Sequence, residues 1–213
     1  INVLNGDEVV GVRLTNGHNE LLLADRNGRA VRFNEDAVRA MGRVSTGVRG
    51  MRLDEGDDEV VGMVVVNDTE KETIMVVSEN GYGKRSDVND YRITNRGGKG
   101  VKTLNITEKT GRLVAIKTVT DENDLMIINK SGILIRLKVS DCRVMGRATQ
   151  GVRLINLAKK NDVISSVCKV MTSNIEALAE EESKNDWNQT NEVIIKGTLA
   201  TQGPEEFSDN EEK

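Results

Sequence analysis

A repeat of about 50 residues constrains this chain more than any other feature, because a fixed period of that length signals a repeat architecture before any single element is assigned. Three glycines that each follow an Asn or a Ser, Gly28, Gly81 and Gly132, lie 53 and 51 residues apart. A second landmark, Gly47-Val48-Arg49, Gly100-Val101-Lys102 and Gly151-Val152-Arg153, has the same two spacings. An apolar run precedes each first glycine, at 20–24, 73–77 and 124–128, and a shorter alternating run such as Ile133, Ile135 and Leu137 follows it. Apolar run, Asn-Gly or Ser-Gly pair and second run together predict a β-hairpin, with glycine supplying the positive φ of the turn. A further apolar run opens each unit, at 8–14, 59–66 and 112–119, and residues 162–170 begin another.

Units of this length with several strands predict an all-β, propeller-like fold of four-stranded blades. The expected repeats are 7–57, 58–110 and 111–161, with the start of a further one at 162–170, so about three blades are covered. Residues 171–213 lose the period, carry 11 acidic against 3 basic side chains, and are expected to be largely disordered, with Val193-Ile194-Ile195 as one short strand. The first residue, Ile1, is no initiator Met and stands in what reads as a strand, so the chain is expected to be a fragment.

Charge divides along the same lines. The chain has a net charge of −4, but residues 1–170 carry a net +4 and residues 71–153 alone a net +7. With five aromatic residues the core has to be aliphatic. One His and two distant Cys exclude the usual zinc clusters and a disulfide framework, and no stretch approaches a membrane-spanning length. These features fit a reducing cytoplasm. No catalytic constellation emerges: His18 sits in a turn-like Asn-Gly-His-Asn sequence, Tyr82 and Tyr91 read as packing residues, and the acidic group 54–59 reads as a solvated loop.

Cations recur in register. Arg32, Arg85 and Arg136 come four residues after the hairpin glycines. Arg43, Arg96 and Arg147 come four before the second landmark, and Arg49, Lys102 and Arg153 two after its glycine. In a propeller such rows form arcs of positive charge that suit a curved duplex backbone, read by phosphate geometry and deformability rather than base sequence. A repeated Arg equally suits a structural ion pair made once per blade, and the row inside the predicted strands, Arg32, Arg85 and Arg136, suits that best. The candidate DNA contacts are Arg43, Arg49, Lys84, Arg85, Arg96, Lys99, Lys102, Arg147 and Arg153. The best of them, Arg96 and Lys99, belong to a loop in which Gly97, Gly98 and Gly100 leave bare backbone for a phosphate to approach. The loop lacks the Walker spacing, so nucleotide binding is not expected.

Several blocks in order, Val38-Arg39-Ala40-Met41-Gly42, Thr46-Gly47-Val48-Arg49-Gly50, Asn80-Gly81-Tyr82-Gly83-Lys84-Arg85 and Gly146-Arg147 through Gln150-Gly151-Val152, resemble the C-terminal domain of the DNA gyrase A subunit. The resemblance covers nearly all of 6–170. It implies a six-bladed β-pinwheel that wraps duplex DNA around its rim, of which this chain is similar to the last three blades plus the acidic tail. It further implies a role in ATP-dependent negative supercoiling within an A2B2 holoenzyme, whose B subunit and remaining part of the A subunit would be the partners. The breakage tyrosine, ATP and magnesium then belong elsewhere in that holoenzyme, and this fragment needs no cofactor and catalyses nothing alone. The family's seven-residue box, Gln-Arg-Arg-Gly-Gly-Lys-Gly, has a five-of-seven counterpart in Thr94-Asn95-Arg96-Gly97-Gly98-Lys99-Gly100. The alternatives are a topoisomerase IV-type DNA-binding domain and a propeller that binds proteins.

Overall fold

The computed structural model describes residues 1–157 and 162–171. The hairpins form where the glycine landmarks place them: β1 (Glu20–Asp25) with β2 (Arg29–Asn34), β4 (Thr73–Ser78) with β5 (Tyr82–Asp87), and β8 (Asn123–Asn129) with β9 (Leu134–Lys138). Gly28, Gly81 and Gly132 hold φ of 79°, 79° and 83° in the turns, as the sequence pattern requires. The hairpins are reinforced at their necks by the side chain that starts each turn. Asp25 Oδ1 accepts from the Arg29 amide and Asn129 Oδ1 from the Ile133 amide, both at 2.7 Å, and Ser78 Oγ donates to the Tyr82 carbonyl.

Each hairpin takes its two outer strands from the repeat that follows it. Strands β3 (Val60–Val66) and β6 (Val101–Lys102) flank the first hairpin in the order β3-β1-β2-β6. Strands β7 (Leu113–Val119) and β10 (Val152–Arg153) flank the second in the order β10-β5-β4-β7. Among the described residues the third sheet has three strands, with β11 (Ile164–Met171) on β8 and nothing outside β9. Every strand pair is antiparallel. Cuts at 57/58, 110/111 and 161/162 therefore divide each sheet between two sequence segments, since the run that opens a unit completes the sheet before it.

That exchange explains why the strand expected at 8–14 does not form. Residues 8–14 match β3, β7 and β11 in the repeat, but this sequence holds no hairpin before them to pair with, and they carry no strand and lie exposed. The acidic tail expected over 171–213 and the strand expected at Val193-Ile194-Ile195 lie outside the described residues, apart from Met171, which ends β11.

Side chains alternate across each strand, so a strand between two sheets is apolar on both faces. In β4, Ile74 and Val76 enter one core with Leu22, Ala24, Val64, Leu104 and Ile116, while Met75 and Val77 enter a second with Val119, Leu125, Ile127 and Val139. This double burial produces the unbroken apolar run at 73–77. A third cluster, Leu21, Val31, Phe33, Met51 and Val65, covers the outer face of the first sheet. Among the described residues the buried hydrophobic side chains are non-aromatic apart from Phe33, Tyr82 and Tyr91, and the Tyr91 hydroxyl is satisfied by Thr103 Oγ1.

Candidate nucleic-acid interface

The first cation row is a set of inter-repeat clamps. Arg32 is 5% exposed; it pairs with Glu20 across its own hairpin, and its Nη1 donates to the carbonyls of Val88 and Tyr91 at 2.8 and 2.9 Å. Those acceptors lie in and just after a 3-10 turn, Val88–Asp90, of the next repeat. Arg85 repeats the arrangement one period on, donating to the Cys142 carbonyl behind the turn Val139–Asp141 and pairing with Asp121. Arg136 keeps its carboxylate partner, Asp124, but has no carbonyl acceptor beyond it among the described residues, and its side chain is 39% exposed. One residue away from Arg85, Lys84 is completely buried and donates to Ser86 Oγ and to the carbonyls of Gly146 and Arg147. Its burial pulls the ammonium down to about 8. Lys84 and Arg85, both in the sequence-derived contact set, thus face protein acceptors rather than solvent.

The second row is divided. Arg96 donates from Nε to the Ala37 carbonyl at 3.0 Å and from Nη1 to the Arg49 carbonyl, and Arg147 donates from Nη1 to the Lys102 carbonyl at 2.7 Å. Both side chains are half-buried staples to the preceding repeat. Arg43 lies exposed with no such partner among the described residues.

The third row faces solvent throughout. Arg49, Lys102 and Arg153 are exposed; Lys102 donates to Asn105 Oδ1, and Arg153 donates to the Tyr82 hydroxyl and lies over the Tyr82 ring, as does Lys109. Tyr82 thus positions two cations.

Between these rows the glycine-rich loop is held against the first sheet. The amide of Gly97 donates to the Gly50 carbonyl and the amide of Arg52 to the Gly98 carbonyl. Gly100 has φ of 77°, and a Cβ there would stand 2.4 Å from the Ala30 carbonyl oxygen. Gly151 meets Gly83 in the same way one period later. The glycines therefore let the short outer strands β6 and β10 reach the preceding hairpins, a structural need separate from the approach of a phosphate. Lys99 is exposed and paired with Asp54 at 2.5 Å. The acidic group 54–59 is correspondingly more than a solvated loop: Asp57 pairs with Arg112, Glu59 with Arg26, and Asp58 accepts the amides of Asn27 and Asp54.

One row of cations escaped the sequence reading. Arg39, Arg92 and Arg143 lie eight residues before the second-landmark glycines, at the same spacings of 53 and 51. All three are exposed, and their guanidinium groups have no protein partner among the described residues. The period alone was enough to find them. His18 lies in a bend closed by its amide to Asn16 Oδ1, and Cys142 and Cys168 are free thiols. Among the described residues, no group of three or more His, Cys, Asp or Glu is placed to hold a metal ion, and no helix is long and apolar enough to cross a membrane.

Comparison with known proteins agrees with the repeat. The family described as DNA gyrase C-terminal domain, beta-propeller, matches three segments, 19–67, 72–120 and 123–167. Each contains a hairpin and the long outer strand that pairs with it from the following repeat. The chain is 47% identical over 192 residues to the DNA gyrase A subunit of Staphylococcus aureus (strain NCTC 8325 / PS 47), across 90% of this chain and 21% of that protein. It therefore spans about a fifth of that relative's length. Among solved structures, the C-terminal domain of DNA topoisomerase IV matches with a TM-score of 0.76 at 29% identity, covering 87% of this chain and 57% of that one. The DNA gyrase A C-terminal domain matches with a TM-score of 0.66 at 28% identity, covering 72% and 51%. Repeat, sheet exchange and similarity together place this chain in the DNA gyrase C-terminal domain family of beta-propellers.

Proposed function

We propose that the chain binds duplex DNA without sequence preference and curves it along the exposed cations Arg43, Arg49, Lys99, Lys102 and Arg153, with the half-buried Arg147 at its margin. The observation that carries this reading is the third row, in which Arg49, Lys102 and Arg153 stand exposed at equivalent positions of successive repeats. Evenly repeated cations match an evenly spaced phosphate backbone, and among the described residues no base-reading helix accompanies them. The 47% identity to a DNA gyrase A subunit supports placing this activity in such a subunit, where wrapping biases ATP-dependent strand passage toward negative supercoils. In that setting the partners are duplex DNA, the B subunit and the rest of the A subunit, in an A2B2 assembly in the bacterial cytoplasm. ATP and magnesium act elsewhere in the assembly, and this segment contributes binding rather than chemistry. The wider structural match to the topoisomerase IV domain favours a second reading, a DNA-binding domain of that enzyme; the higher sequence identity favours gyrase.

Binding to a linear duplex across a salt series tests the proposal. Engagement of about six phosphates gives a log-log slope near −5, at about −0.9 per contact. A slope near zero, or no binding at low salt, would turn the reading toward a protein-interaction propeller.

A further inference from the structure

In the unassigned row, Arg92 and Arg143 share a backbone geometry that Arg39 lacks among the described residues. Arg92 follows Tyr91, whose carbonyl is held by Arg32, and precedes Ile93, which bridges to Arg32 in parallel. The next amide, Thr94, donates to the Arg32 carbonyl at 2.8 Å. The backbone on both sides of Arg92 is thus pinned to the preceding hairpin while its guanidinium stands in solvent. Arg32 is neutralised by Glu20 and buried as scaffold, whereas Arg92 carries an uncompensated charge among the described residues.

Arg92 opens onto a cleft of about 340 Å³ between the first hairpin and the glycine-rich loop, shared with Thr94, Asn95, Gly98, Lys99 and Gly100. One period earlier, the equivalent positions Arg39, Met41, Gly42, Ser45, Thr46 and Gly47 also line a concavity. The concavity therefore recurs in two successive repeats. Besides the buried, paired Arg32, the Arg92 cleft is lined by a second exposed cation, Lys99, whose position is Thr46 in the first repeat and Gln150 in the third. Two cations flanking glycine backbone form a seat for a singly charged tetrahedral oxyanion once that anion displaces Asp54, which pairs with Lys99 at 2.5 Å; Arg can then present two parallel donors and Lys a point charge.

We infer that this cleft is a phosphate seat in which Arg92 and Lys99 clamp one backbone phosphodiester of bound DNA, and that Arg92 is a binding residue of the same interface. The seat rests on the DNA-binding reading, and it ranks the row: Arg92 contributes more than Arg39 or Arg143, which have Thr46 and Gln150 where Arg92 has Lys99.

The test compares the unaltered chain with Arg92→Gln, Arg92→Lys, Arg39→Gln, Arg143→Gln, Lys71→Gln and the Arg49→Gln/Lys102→Gln pair, by duplex binding across a salt series. Lys71 is an exposed cation of the turn at 68–72, outside the cleft. Arg92→Gln should lower affinity several-fold at low salt and flatten the log-log slope by about 0.9, one phosphate contact. Arg92→Lys should retain the slope, Lys71→Gln should match the unaltered chain, and the Arg39 and Arg143 variants should lose less than Arg92→Gln. Inorganic phosphate should compete weakly with duplex for the unaltered chain and less for Arg92→Gln, which separates a seat for anions in general from long-range attraction. Unchanged binding by Arg92→Gln beside a clear loss in the Arg49/Lys102 pair overturns the seat and leaves DNA binding standing. An equal loss in Lys71→Gln also overturns it, because the effect is then one of net charge. Absence of duplex binding by the unaltered chain overturns both readings. Unchanged melting temperatures establish that the variants fold, as expected at these exposed positions.

Discussion

Arg147 donates its Nη1 proton to the backbone carbonyl of Lys102, 45 residues earlier, and Arg96 makes the same bond to Arg49 one repeat before. A row of cations that the sequence offers to DNA is therefore first a row of staples between consecutive repeats. Stability in repeat proteins is carried largely by such nearest-neighbour interfaces. Arg96→Ala should lower the unfolding free energy by about 1–2 kcal/mol, given its two charge-assisted bonds at a half-buried site, and Arg147→Ala by about 1 kcal/mol. Chemical denaturation measures both. Arg43→Ala, at the unpartnered position of the row, should leave stability unchanged; equal losses at all three positions would refute the staple role.

Asp25 closes the neck of the first hairpin at an electrostatic cost. Burial pushes its carboxyl up to about 6 from 3.8; the Arg29 amide offsets part of this, and Asp58 adds repulsion. Its Oδ2 is buried without a hydrogen-bond partner among the described residues. Between about pH 4 and 6 the folded chain holds a proton that the unfolded chain has released, so stability falls as pH rises through that window. Asp25→Asn keeps the Oδ1 acceptor, and Asn129 already stands at the equivalent position of the third hairpin. The variant should gain about 1–2 kcal/mol at pH 7, a bound set by about 1.36 kcal/mol for each tenfold change in proton affinity, and the gain should shrink toward pH 4. Thermal unfolding at pH 4, 5, 6 and 7 checks this, and a gain independent of pH would disprove it.

The hairpins were legible because each rests on local signals, an apolar run and a glycine at a turn. The exchange of outer strands was not, since β3 and β6 are assigned to the first hairpin by long-range pairing that no local pattern encodes. The same blindness affected the site. Arg32 and Arg92 look alike in sequence, each an Arg recurring at 53 and 51 residues, yet one is buried by the next repeat and the other is not. Lys84 is harder still: a buried lysine becomes intelligible only when the carbonyls of Gly146 and Arg147, more than 60 residues away, are seen to receive it.

The second-landmark glycines provide a graded test of that exchange. Gly47, Gly100 and Gly151 share a positive φ, between 76° and 85°, but a Cβ at Gly47 meets nothing within 4 Å, whereas at Gly100 and Gly151 it strikes backbone at 2.4 and 2.5 Å. Gly47→Ala should cost only the left-handed strain, about 1–2 kcal/mol. Gly100→Ala and Gly151→Ala should cost more, by displacing β6 and β10 from their hairpins, and should accelerate amide exchange at Ala30 and Gly83. Equal costs at the three sites would show that the close approaches do not matter.

Lys99 is the one exposed candidate cation in the glycine-rich loop, and Asp54 already occupies it. The lysine holds the Asp54 carboxyl below its ordinary value through hydrogen bonding and charge, so that carboxyl is ionised at neutral pH. Any phosphate reaching Lys99 has to displace that carboxylate. Asp54→Asn should therefore raise duplex affinity severalfold at low salt, with the gain fading as ionic strength screens both contacts. Asp57→Asn, which releases Arg112 instead, removes the same charge without freeing the loop and should raise affinity less. If the two variants bind alike, removal of negative charge in general explains the gain. If Asp54→Asn binds more weakly than the unaltered chain, the ion pair does not compete with DNA but holds Lys99 in the position from which it binds.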